Sequence, residues 1–205
     1  MAKSESCVLG FVAKTGRAVV VVLQPGPVLV AKWGLQLTPP DQERFVFHAA
    51  QDMTLAKAEK WVRDSTKNIT EQTASEIDAV FDSVPAKVSA AAVVGSNIEM
   101  DDSVASILAS HTKLHTAEGV LYRSAIVDAL RQHRITPMLV PAPDLDAIRG
   151  RIDQFGKVEA PWRREHKDAT LAALLALDLS VKPGRAGGRG SASRTPRATT
   201  PRRSR

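Results

Sequence analysis

CVLGFVAKTGRAVVVVLQ, residues 7–24, is the stretch that decides how the rest of this chain is read. Two valine-rich runs, 7–13 and 17–24, flank Lys14-Thr15-Gly16. β-Branched residues suit a pleated, half-buried surface, and a short spacer containing Gly between two such runs predicts a hairpin. Pro25-Gly26-Pro27 then forces a turn before VLVAKWGLQL at 28–37, whose polar Lys32 and Gln36 fall on one face. The economical reading is three consecutive antiparallel strands.

Beyond them, Thr38-Pro39-Pro40 breaks the run. From about Asp52 to Phe81, Leu55, Ala58, Val62, Ile69, Ile77 and Val80 recur at mixed three- and four-residue spacing, which predicts a helix with an interruption near Asn68. VSAAAVV at 88–94 has the small, short, apolar character of a buried central strand. Asp101-Asp102-Ser103 offers an N-cap for a long helix to about Arg134, with Ile107, Leu114, Ala117, Leu121 and Ala125 facing inward. Gly119 inside that helix costs about 1 kcal/mol relative to alanine, and a close helix–sheet approach would explain it. ITPMLV at 135–140 reads as a further strand, and Asp144 caps a short helix to about Gln154. A basic loop, 155–164, leads into a last helix that ends near Leu179. Glu165 and Asp168 lie on one face of its first turn.

The 205 residues suffice for one substantial core and not comfortably for two. We therefore expect one domain over 1–180 and a disordered tail over 181–205, rich in Arg, Gly, Ser and Pro and too apolar-poor to offset its ordering entropy. Eight of the 28 lysines and arginines lie in that tail with no acid among them, leaving 20 cations against 22 acids in the rest. The tail, not the globular part, carries the positive charge. A single cysteine, Cys7, excludes an internal disulfide framework and a cysteine zinc cage, so the expected setting is a reducing one, the cytoplasm by default. No membrane span is expected, since no apolar run approaches the ~18 residues that one requires.

Three strands, helix, strand, helix, strand, helix is the element order of the ribonuclease H-like fold. Four stretches narrow this to a resemblance to the RuvC group of Holliday junction resolvases. Val8-Leu9-Gly10-Phe11-Val12 resembles that family's opening strand, with Val12 where its first Asp stands. Asn97-Ile98-Glu99 is similar to its Ala-Ile-Glu after the fourth strand; if that strand ends earlier, the glutamate position falls among Val93, Val94 and Gly95. Phe155-Gly156-Lys157 resembles its aromatic-Gly-Lys loop, and Glu165-His166-Lys167-Asp168-Ala169 its closing Asp-x-x-Asp-Ala. The resemblance spans roughly residues 7–177. It implies an α/β, ribonuclease H-like domain with a mixed five-stranded sheet, three antiparallel strands then two parallel, flanked by helices.

The same resemblance implies a history of metal-dependent phosphodiester hydrolysis. Such chemistry clamps the attacking and leaving oxygens between two divalent ions about 4 Å apart, and hard cations need carboxylate oxygens. Valine supplies none. Glu99, Glu165 and Asp168 then form a remnant catalytic and metal site that takes no cofactor, or Mg if activity is retained. Arg149, Arg151, Lys157, Arg163 and Arg164 surround the loop entering the last helix and can neutralise phosphates. The expected partner is nucleic acid, DNA more than RNA, bound by a homodimer if the chain follows its family. An active Mg-dependent crossover-junction endodeoxyribonuclease, completing its site with Asp101, is the first alternative; a non-catalytic structural protein keeping only the fold is the second.

Plainer readings stand beside each of these. Acids in a first helical turn are what the macrodipole favours, and Glu99, Asp101 and Asp102 also make a solvated loop and cap. His111 and His115, at i and i+4, have the spacing of a zinc chelate, but the sequence offers no third ligand. Trp162 suits either a stack on a splayed base or a place in the core. Lys14-Thr15-Gly16 lacks the glycine array of a phosphate loop and reads as a turn.

Overall fold

The computed structural model describes residues 6–96, 98–100 and 102–181. The expected tail beyond Val181, together with Asn97 and Asp101, lies outside the described residues. Three strands come first, β1 (Ser6–Lys14), β2 (Arg17–Gln24) and β3 (Val28–Gln36). Helices α1 (Val46–Ala49) and α2 (Leu55–Ser83) lead to β4 (Lys87–Val94). Then come α3 (Val104–Leu108), α4 (His111–Gln132), β5 (Met138–Val140), α5 (Ala142–Ala147), a 3-10 turn (Arg149–Phe155) and α6 (Arg164–Val181).

The sheet runs β3-β2-β1-β4-β5. β1–β2 and β2–β3 are antiparallel, while β1–β4 and β4–β5 are parallel. This is the mixed sheet expected from the element order, with the first strand at its centre. Alternation along the strands divides the core in two. Leu9, Phe11, Val20, Val22 and Val93 face α2 and α4, while Val8, Val12, Val19, Val21 and Ala92 face α6. A fully buried Leu or Phe contributes about 1.5–3 kcal/mol relative to exposure, so the two apolar faces together hold the layers on the sheet.

The close helix–sheet approach exists, but at Gly10 rather than Gly119. A Cβ on Gly10 would stand 2.0 Å from the Ala169 carbonyl oxygen and 2.8 Å from the Ala173 nitrogen. Its absence lets α6 lie directly on β1, and the alanines along α6 extend the fit. At Gly119 the neighbour is instead the side chain of Arg123, whose guanidinium nitrogen would be 3.1 Å from a Cβ there; Gly95, at φ +130°, borders the same side chain.

Other boundaries differ from the sequence reading for identifiable reasons. Helix α2 runs through Asn68 without a break, because Ser65, Ile69 and Thr73 are all buried on one stripe. The long helix expected to start near residue 101 is two helices. Ser103 accepts from the Ser106 N–H and Ser110 from the Lys113 N–H, each serine ending one path and capping the next. The helix from Asp144 is divided into α5 and the 3-10 turn. The fifth strand keeps only Met138–Val140, and α1 was not expected. Loop 38–44 is pinned by Tyr122, whose buried hydroxyl donates to the Arg44 carbonyl at 2.6 Å and lies 2.9 Å from Thr38 Oγ1. Burial pushes that phenol up to about 12.

Candidate nucleic-acid interface

Helix α6 brings its first turn to the sheet end where β1 and β4 both finish. Phe11 pairs with Val93, so one step further Val12 stands beside Val94, and Val94 pairs with Val140 on β5. All three valines face α6. The end of the sheet beneath Glu165 and Asp168 is therefore an apolar row, and Val12 is almost fully buried.

Both acids of that turn are taken by arginines. Arg17 donates to Glu165 through two nitrogens, at 2.6 and 3.4 Å. This guanidinium holds the Glu165 carboxyl below its ordinary range, with Lys14 adding a smaller effect of the same sign. Asp168 accepts from Arg149 at 2.8 Å and lies 3.6 Å from Arg164. Arg149 also binds Asp146 at 2.7 Å, and these hydrogen bonds raise its pKa. Delocalised guanidinium forks match carboxylates well, so the acids are neutralised from within the chain.

Glu99 does not join them. Strand β4 ends at Val94, and the following loop turns toward α4, where Ser124 donates to the Ile98 carbonyl. Glu99 borders a depression shared with Met100, Asp102, Ile107 and Lys113, on the α4 side of the sheet. Among the described residues no group of three or more His, Cys, Asp or Glu side chains is arranged to hold a metal ion. Among the described residues, Glu99, Glu165 and Asp168 are thus not gathered as the two-ion centre implied by the resemblance would need, and Asp101 lies outside those residues.

The expected basic residues separate into two sets. Arg149 and Arg151 are held internally, the latter by two hydrogen bonds to Asp178. Lys157, Arg163 and Arg164 are exposed. An open cleft of about 420 Å³ is lined by Arg149, Ile152, Arg164 and Lys167. Three cations not singled out from sequence also reach this corner. Lys14 and Arg17 face each other across the hairpin end. Lys32 on β3 pairs with Val21 and so points to the α6 face, where its charge lowers the pKa of His166, second to burial. Hairpin register alone places Lys14 and Arg17 at the end where Val12 lies, a signal that the spacer between the two valine runs already carries.

His166 is buried, and its Nδ1 accepts from the Arg163 N–H at 3.3 Å. That makes it a brace for the start of α6, not a free base. Trp162 is half-buried and lies 6.5 Å, ring to ring, from His166, so it packs on the corner.

No protein-family model and no curated protein matches the chain. Solved structures do. RuvC from Thermus thermophilus in complex with a Holliday junction substrate aligns with a TM-score of 0.51 at 13% identity, over 82% of this chain and 90% of that one. A second Thermus thermophilus RuvC structure aligns at 0.47 and 12% identity, over 82% and 91%. The fold is ribonuclease H-like, of the RuvC kind. No described helix is long and apolar enough to cross a membrane.

Proposed function

We propose that this chain is a RuvC-like protein that binds branched or structured nucleic acid, DNA in preference to RNA, without hydrolysing it. One observation carries the reading: Val12 and Val94 stand side by side at the sheet end, beneath a helix turn whose two acids are engaged by Arg17 and Arg149. Metal-assisted hydrolysis needs oxygen ligands converging on two ions. Here the remnant acids Glu165 and Asp168 position arginines instead, and Glu99 lies on the α4 side of the sheet. The phosphates meet Lys14, Lys32, Lys157, Arg163, Arg164 and Lys167 around α6, and the basic tail adds sequence-independent attraction that weakens with salt. The setting is a reducing, nucleic-acid-containing compartment such as the cytoplasm, and a homodimer is the assembly that would engage a four-way junction.

The test is incubation of a four-way DNA junction with the protein in magnesium or manganese, alongside binding measured across salt. Binding without nicking is expected, with the same affinity in EDTA. Symmetric nicking that vanishes in Asp168→Asn would establish the active-endonuclease alternative. No affinity for junction, duplex or RNA would leave the fold as a structural scaffold. Charge removal at Arg163 and Arg164 should lower the salt slope by about one for each phosphate no longer neutralised.

A further inference from the structure

We infer that the side of β3 facing α6 is a ledge for an unpaired DNA strand, with Gly34 admitting the sugar–phosphate backbone, Lys14, Lys32 and Arg163 meeting its phosphates and Trp162 stacking on a base. This rests on the nucleic-acid reading proposed above and names the strand that the same corner takes.

β3 is the outermost strand on its side of the sheet. Its residues alternate. Trp33 and Leu35 point to the core shared with α2 and α4, whereas Lys32, Gly34 and Gln36 pair with Val21, Val19 and Arg17 and so point the other way. Helix α6 packs on β1, β2 and β4, which leaves this part of β3 at the margin of its footprint. Gly34 and Gln36 are exposed there, and Lys32 is half-buried. The result is a strip one strand wide, walled on one side by α6 and open on the other.

Gly34 is the residue that needs a reason. Glycine inside a strand weakens it, and often marks a bulge, a bend or the close approach of a ligand or another backbone. The β2–β3 register shift lies at Val22/Leu23, not here, and the Gly34 φ is outside the left-handed region. A Cβ at Gly34 would meet no atom beyond its chain neighbours within 4 Å. Neither backbone geometry nor packing within the chain calls for glycine, whereas a ligand lying flat on the strand does.

Charge and aromatic surface indicate which ligand. Lys32 and Trp162 both border His166: the lysine's charge acts on the buried imidazole, and the indole ring lies 6.5 Å from it. Of the charges that act most on His166, Lys32, Arg163 and Arg17 are positive and Glu165 is negative, and Glu165 is already paired with Arg17. Lys14 is exposed and stands across the hairpin end from Arg17. An anionic chain fits this rim. Trp162 is half-buried, so part of it stays open to a base. An aromatic ring stacks only on a base outside the double helix, and a strip this narrow does not seat a duplex. Cations that track a backbone beside an aromatic platform are the elements of single-strand binding.

The experiment measures the full chain against labelled oligo-dT, a blunt DNA duplex and a four-way DNA junction by fluorescence anisotropy across salt. Gly34→Ile is the main variant. It puts a side chain into the open strip, and since β-branched residues favour strands, urea unfolding should show equal or higher stability. Its affinity for oligo-dT should fall about tenfold, the scale of a lost base stack, with duplex affinity unchanged. Trp162→Leu should lower oligo-dT affinity by a similar factor, with circular dichroism verifying its fold. Lys32→Gln should reduce the single-strand salt slope by about 0.7. Junction binding combined with no oligo-dT binding, with wild-type oligo-dT affinity in Gly34→Ile, or with an equal loss on duplex and oligo-dT, would overturn the ledge and leave the nucleic-acid reading standing. No affinity for any of these DNAs would remove both.

Discussion

Glu165 and Glu118 carry the same side chain on helices against opposite faces of one sheet, and the molecule holds them in opposite ways. Glu165 is partly exposed in the first turn of α6 and is gripped by Arg17, which lowers its pKa. Glu118 is buried in α4, uses one oxygen for the α1 backbone and strands the other, and burial raises its pKa. The first acid is settled by its own chain. The second keeps one buried oxygen without a hydrogen bond, and desolvation outweighs the hydrogen bonds that the other accepts.

Breaking the frame that presents the α6 acids should have the largest effect. Gly10→Ala places a methyl against the α6 backbone. Backbone has to move to admit it, so we expect about 3 kcal/mol of lost stability, read from urea unfolding. Glu118→Leu comes next. It strands the Phe47 and His48 N–H groups and should cost about 2 kcal/mol, with hydrogen exchange showing α1 opening first. Removing the guanidinium on the other face is milder: Arg17→Ala should cost about 0.5 kcal/mol, since the pair is partly exposed, while NMR shows the Glu165 carboxyl returning toward its ordinary range.

The smallest effect is also the sharpest discriminator, because the two glutamates bend the pH profile in opposite directions. Glu165, lowered in the folded state, contributes stability that is present above the ordinary carboxylate pKa and lost as pH falls through its depressed value. Glu118, raised in the folded state, contributes stability that is full below the ordinary pKa and lost as pH rises through its elevated value. Unfolding measured from pH 3 to 8 should therefore lose its acid-side decline in part in Arg17→Ala. In Glu118→Gln it should lose in part its decline toward neutral pH. Identical profiles in both variants would erase the contrast.

Much of the frame was legible in the sequence. The valine runs at 7–13 and 17–24, the small-residue strand at 88–94 and the acids opening the last helix each carry a local signal that survives folding. The helix breaks at 109–110 and 148 were not legible, since Ser110 caps only where the chain has already turned. Nor was the identity of the glycine that matters: Gly10 and Gly119 are equal in sequence, and only packing against α6 or against Arg123 separates them. Glu99 resembled a strand-end acid, yet β4 stops at Val94 and sends it to the α4 side. Arg149 and Arg151 resembled free cations, yet Asp168 and Asp178 stand beside them in the fold.

By itself the amino-acid sequence determined strand and helix identity, the order of elements and the valine at position 12, because hydrophobic period and turn chemistry act over neighbouring residues. Only the tertiary structure decided which charges cancel and which remain. Arg17 and Glu165 are 148 residues apart, and His48 and Glu118 are 70 apart. Electrostatic energy depends on distances through space and on exclusion of water, neither of which is written in sequence spacing.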